Sequence, residues 1–96
     1  MTWNISTDST RIPTKDGSLA VRIDGESHRA PLLLCQRFRG TMDDWDPEFV
    51  ARLANARRVI RFDNLGIGES SGETPNTVRE MAEVVPYCLM RSESAR

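Results

Sequence analysis

Residues 61–72 read RFDNLGIGESSG, and within them Gly68-Glu69-Ser70-Ser71-Gly72 matches G-x-S-x-G, the pattern of a serine nucleophile elbow. An elbow needs its serine on a strained turn that joins a strand directly to a helix. Here the apolar run Val59, Ile60, Phe62 stops at Asp63, well before Ser70, and the next helix signal waits until Thr77. Chain order also opposes the match. An elbow serine is followed downstream by an acid and then a histidine, whereas the single histidine, His28, lies upstream. Ser70 is therefore read as part of a glycine-rich loop that needs small residues for positive φ and close packing. Gly66, Gly68 and Ser71 also half-match a dinucleotide fingerprint. That motif opens a helix directly after the first strand of a βαβ unit, and this loop follows a later strand and enters no helix.

Arg58 to Phe62 is a strand, and the segment before it begins a helix at Asp46-Pro47. Asp46 can cap free N–H groups and Pro47 suits the first helical position. Phe49, Leu53 and Ala56 recur at i, i+4 and i+7 beside Val50 and Ala54, while Glu48, Arg52 and Asn55 face outward. Upstream of the helix, Pro31 precedes Leu32-Leu33-Leu34-Cys35, a continuous apolar run of the kind a central strand buried on both faces requires. A strand, helix, strand succession with short links predicts a parallel pair joined by a right-handed crossover. Lys15-Asp16-Gly17-Ser18 is a turn signal, and Leu19, Val21 and Ile23 recur with period two. These predict a hairpin, closed off by the turn Asp24-Gly25-Glu26-Ser27. Downstream, Thr77-x-x-Glu80 has capping-box form, and Val78, Met81, Ala82 and Val85 keep helical spacing until Pro86, which is expected to end or kink the helix. The fold class is α/β, a hairpin plus a βαβ unit and a terminal helix. Residues 1–96 form one domain, with 1–11 loose and 87–96 an unpatterned tail.

A chain of 96 residues suffices for one modest core. Its 13 basic and 14 acidic residues, net charge -1, are interleaved, so no nucleic-acid partner is expected. The groups Arg37, Arg39 and Arg57, Arg58 read as solvated edges. Cys35, inside an apolar run, reads as a small buried thiol, and no bridge to Cys88 is expected. With one histidine and no C-x-x-C, no metal site is expected, and no cofactor. The group Asp43, Asp44, Asp46 lacks the glycine and terminal glutamate of a calcium loop. There is no basic leader followed by an apolar stretch, and no run approaches the ~18 apolar residues of a membrane span. A cytoplasmic chain without a membrane partner is expected.

The buried strand, the turn Phe38-Arg39-Gly40-Thr41, the helix start Asp43-Asp44-Trp45-Asp46-Pro47 and the loop from Asp63 to Ser70 together resemble the amino-terminal third of an α/β-hydrolase. The resemblance covers roughly residues 12 to 85 and rests on order and spacing. Such proteins commonly run from a buried strand into His-Gly-x-x-Gly, then a helix, a strand and a D-x-x-G-x-G-x-S loop. Phe38, Gly40 and Thr41 fall on the second half of the first motif. Asp63, Gly66, Gly68 and Ser70 fall on the second. The resemblance implies that the backbone N–H of Phe38 helps form an oxyanion hole, a donor that can be worth several kcal/mol of barrier in an acyl-transfer enzyme. Its aromatic ring can pack beneath the loop at the same time.

Three departures follow. Gln36-Arg37 stands where His-Gly is usual, so a Cβ occupies a position where glycine turns freely. Leu65 stands where the family often has arginine. The elbow serine, its acid and its histidine would all lie beyond residue 96. The resemblance thus implies a partial sheet, truncated or frame-shifted before the nucleophile. It would act on a small-molecule ester or related acyl substrate only when completed, and would be inactive as it stands. From the family's strand order, Leu32 to Cys35 would then expose an edge open to self-association or aggregation. A non-catalytic module that binds a partner by β-augmentation is the alternative. Complementation in trans by a chain carrying Ser, Asp and His is a third option.

Overall fold

The computed structural model describes residues 5–26, 29–35 and 40–94, with side chains as far as residue 90. Four strands, β1 (Thr10–Thr14), β2 (Gly17–Asp24), β3 (Leu32–Leu34) and β4 (Val59–Asp63), make one mixed sheet among these residues in the order β1-β2-β4-β3. The hairpin expected from Leu19, Val21 and Ile23 is present. β1 and β2 pair antiparallel, Ile12 opposite Leu19. β4 lies antiparallel to β2 on the other side, with Val21 opposite Phe62 and Ile23 opposite Ile60. β3 runs parallel to β4, with Leu33 opposite Ile60, as the strand, helix, strand succession requires.

The crossover helix α1 (Pro47–Ala54) starts where its signals place it, with the Asp46 carboxylate accepting the Phe49 N–H at 3.3 Å. Before it, a short 3-10 turn, Met42–Asp44, is closed by a reciprocal box. Thr41 Oγ1 accepts from Asp43 N–H and Asp44 Oδ2 accepts from Thr41 N–H. The three aspartates thus serve as caps and as an ion-pair partner.

Because strand side chains alternate, the sheet has two unlike faces. On one, Ile12, Leu19, Val21, Ile60, Phe62 and Leu65 form a dry cluster closed by Val84 and Cys88. On the other, beneath α1 and the 3-10 turn, Met42, Val50 and Val59 are fully buried together with Arg61 and Asp63, and Arg22 is nearly so.

Several expectations are corrected. Leu32–Leu34 is half-buried and not the central, fully buried strand its composition suggests; it lies at the sheet's edge, the place expected from the strand order, with β4 its one strand neighbour among the described residues. Only Leu33 packs on the dry cluster. Cys35, just past that edge, is exposed, and the buried thiol is Cys88; both are free. Phe49 is 45% exposed and stacks on Trp45 with centroids 5.9 Å apart, since the buried stripe of α1 centres on Val50. Arg58 is buried, and Arg57 is half-buried and donates to the Ala30 carbonyl at 3.0 Å, so this pair is no solvated edge.

The terminal helix is two helices, α2 (Val78–Ala82), capped by Thr77, and α3 (Val85–Ser94). The first of them ends at Ala82, one turn before Pro86, as the proline requires; Pro86 is also the second residue of α3, in a first turn whose N–H groups have no intrahelical partner anyway. α3 thereby covers residues 87–94, which read as an unpatterned tail.

Candidate functional site

The loop after β4 is held by three side chains from within RFDNLGIGESSG. Asp63, 2% exposed, ends the strand. Its Oδ1 accepts the Met42 N–H at 2.8 Å and its Oδ2 accepts the Glu69 N–H at 2.9 Å. One carboxylate therefore fixes the backbone of the 3-10 turn and the backbone of the glycine loop. Gly68 has φ +54°, and a Cβ there would run into that carboxylate. Gly66, φ +75°, could carry no Cβ without striking the Thr74 backbone. These two glycines are thus required by conformation and by space at once.

Ser70 stands between two backbone groups of neighbouring strands. Its hydroxyl donates to the Asp63 carbonyl and accepts the Ala20 N–H at 2.8 Å, so it relays a ladder bond from β2 to β4. Ser71 continues the pairing. Its N–H donates to the Ser18 carbonyl at 2.9 Å and its Oγ accepts the Ser18 N–H at 2.8 Å. A nucleophilic hydroxyl needs a base to take its proton, whereas the Ser70 proton points at a main-chain carbonyl. The geometry is that of a structural staple.

Arg22, on β2, reaches the same two segments from the neighbouring strand. Nη1 pairs with Asp43 Oδ1 at 2.5 Å, Nη2 with Glu69 Oε2 at 2.7 Å, and Nε donates to Ser9 Oγ at 3.2 Å. Burial alone would lower its pKa. The hydrogen bond and charge of Asp43, with those of Glu69, outweigh burial and raise it. Arg61 lies directly opposite Arg22 in the ladder, a like-charge pair that would be destabilising on its own. Asp24 offsets it, accepting from Arg61 Nη2 at 3.0 Å, and the Ser6 carbonyl accepts from the same nitrogen at 2.8 Å.

Phe38, the candidate oxyanion donor, lies outside the described residues, as do Gln36, Arg37 and His28. Gly40 and Thr41, which complete that motif, are placed at the start of the 3-10 turn, and Gly40 is buried. Since β3 is parallel to β4, Cys35 and Asp63 leave the sheet at the same end, the end where ligands bind in open α/β sheets. The two half-motifs around Gly40–Thr41 and Asp63–Ser70 are therefore brought together.

The fold superposes on an α/β-hydrolase fold protein from Chitinophaga pinensis with a TM-score of 0.81 and 32% identity over 93% of this chain. The chain is related to the α/β-hydrolases. A hydrolase from Pseudomonas aeruginosa PA01 matches at TM-score 0.75 and 30% identity over 92% of the chain. An epoxide-hydrolase candidate from Pseudomonas aeruginosa matches at 0.64 and 25% over 86%. The matched parts are 32%, 34% and 30% of those proteins, so the chain spans about one third of their length. No protein-family model and no curated protein matches the sequence.

Within this partial α/β-hydrolase sheet, Leu65 answers one departure from the family pattern. Where arginine is common, its side chain is 5% exposed and joins the dry cluster. A cleft of about 560 Å³ opens on the α2–α3 side of the loop, lined by Lys15, Asp16, Leu65, Glu73, Glu83 and Tyr87 among others. Lys15 neutralises part of its rim, 4.0 Å from Asp16 and 3.7 Å from Glu83. Among the described residues no group of three His, Cys, Asp or Glu side chains is placed to hold a metal ion, and no helix is long and apolar enough to cross a membrane.

Arg22 and the double acceptor role of Asp63 were missed in the sequence. Arg22 falls between Val21 and Ile23 and reads as a solvent-facing strand position. The available signal was the crossover helix, which must cover the sheet face opposite the hairpin's apolar one.

Proposed function

We propose that this chain is the part of an α/β-hydrolase domain that supplies the oxyanion side of the site. The reaction is hydrolysis of an ester or related acyl bond, carried out by the completed domain. Within it, the backbone N–H of Phe38 donates to the developing oxyanion, and the loop Asp63–Gly72 holds that region in place. Ser70 is no nucleophile, and the 96-residue chain alone is inactive. What supports this is the placing of the two half-motifs at the end of the sheet where β3 and β4 stop, in a fold whose neighbours are hydrolases. The epoxide-hydrolase name of one neighbour adds epoxide opening as a second bond type for the same scaffold.

The test uses p-nitrophenyl acetate and styrene oxide. The chain alone is expected to turn over neither. A hydrolase of measured esterase activity, with its corresponding segment exchanged for residues 12–85, is expected to keep ester hydrolysis and to lose it when Phe38 is replaced by Pro, which has no N–H. Ester hydrolysis by the chain alone that disappears in Ser70→Ala would sink the proposal.

A second proposal rests on the edge position of β3. Half-buried Leu32–Leu34 leaves one side of a short apolar strand without a strand partner among the described residues, a template for β-augmentation or self-association. Size-exclusion chromatography decides it, a stable monomer being the contrary result.

A further inference from the structure

Two side chains of opposite charge hold both the glycine loop and the 3-10 turn. Asp63 takes the Met42 and Glu69 N–H groups. Arg22 takes the carboxylates of Asp43, next to Met42, and of Glu69 itself. The two holders differ in their surroundings. Asp63 is 2% exposed, its bond to Met42 is buried and its bond to Glu69 is part-buried. The Arg22 side chain is 10% exposed, but the carboxylates that it grips are 68% and 47% exposed. We infer that Arg22 is a positioning residue, a salt-sensitive clamp that couples the segment Gly40–Asp44 to the loop Gly66–Ser71 and sets their relation where β3 and β4 end.

The guanidinium suits this task because its nitrogens point in different directions at fixed angles, so one side chain spans two carboxylates and the Ser9 hydroxyl at once. A lysine at position 22 has three donors on one rotating nitrogen; it could meet the two carboxylates but without fixed angles and without the Nε bond to Ser9, so it would set the two segments less firmly. Arg61, opposite Arg22, is turned toward Asp24, Ser6 and the Met42 carbonyl and leaves Arg22 both outer carboxylates. The clamp gains strength from low local polarity at the guanidinium and stays open to screening at the carboxylates. Asp63 fixes the two backbones in place, and Arg22 sets how firmly they move as one. The clamp stands without the hydrolase proposal and rests on it only for its purpose, the holding of an oxyanion donor.

Amide hydrogen exchange on the 96-residue chain, followed by NMR at low and high salt, tests the coupling. The decisive variants are Asp43→Asn and Glu69→Gln, which neutralise exposed side chains and leave the sheet intact. Asp43→Asn is expected to speed exchange across the gap, at the Gly66–Ser71 amides, roughly three- to tenfold, and Glu69→Gln to do the same at Met42–Asp44. Raising salt is expected to speed both segments in the wild type and to have little effect in Arg22→Met. Arg22→Lys is expected to keep the salt dependence but to leave exchange in both segments faster than in the wild type. If each neutral variant changes only its own segment, or if salt acts alike on the wild type and Arg22→Met, the clamp is refuted. Should Arg22→Met loosen the whole sheet, the two neutral variants still decide. This result is independent of ester hydrolysis, so the clamp and the proposed function can fail separately.

Discussion

The two faces of this sheet are made from alternate residues of the same strands, and they do different work. Leu19, Val21, Ile60 and Phe62 point into hydrocarbon, where attraction is non-directional and grows with buried area. Ala20, Arg22, Arg61 and Asp63 point the other way, where charges and N–H groups must meet at set angles. Stability and loop geometry are therefore separately mutable here. Damage to the dry face should change how often the chain is folded. Damage to the charged face should change which loop arrangement the folded chain holds.

The largest effect is expected on the dry face. Leu19, fully buried, replaced by Ala should lose about 2–5 kcal/mol in urea unfolding, with exchange raised at every strand. An effect confined to the β1–β2 hairpin would break the single-core description. Next is Gly68→Val, which forces a β-branched residue to φ +54° and pushes a Cβ into the Asp63 carboxylate, for a loss of about 3 kcal/mol. Asp63→Asn should follow at about 1–3 kcal/mol, because an amide has one acceptor atom for two N–H groups. Its exchange increase should gather at Met42 and Glu69, and a uniform increase would erase the contrast between the faces.

The dry face also carries a pH signature. Burial, aided by the charge of Cys35, pushes the Cys88 thiol from 9.0 up to about 12. The folded state holds this proton more tightly than the unfolded state. Its contribution is therefore complete below about pH 9 and is lost as pH rises toward 12. Urea midpoints at about pH 8 and about pH 10.5 should show the fall, and Cys88→Ala should flatten it. An equal slope in the variant would assign the fall to other groups.

Local signals carried most of the fold. The hairpin turn at Lys15–Ser18, the Asp46-Pro47 cap and the parallel pair across α1 are all written in neighbouring residues. What could not be read locally depends on how many partners an element finds. Leu32-Leu33-Leu34 has the composition of a central strand whichever place it takes, and only the strand order makes it an edge. Phe49 satisfies helical spacing, but it sits at the margin of the stripe, where Trp45 draws it outward. Pro86 breaks a helix or begins one according to where the preceding turn ends.

The candidate site was legible in part. Asp63, Gly66, Gly68 and Ser70 stood out as a motif, and Ser70 could be set aside from its context. The clamp was hidden because Asp43 and Glu69 lie far from Arg22 in sequence and meet it only when the crossover closes over the charged face.

On the reading proposed above, Ser70 joins two strands and attacks no substrate. Intact-mass spectrometry after treatment with a fluorophosphonate, set beside the urea midpoint of Ser70→Ala, tests both halves. The expected result is an unmodified wild-type chain together with a loss of about 1–2 kcal/mol in the variant, from the Ala20 N–H and Asp63 carbonyl left without their relay. A single phosphonyl adduct on Ser70, with Ser70→Ala as stable as the wild type, would contradict it.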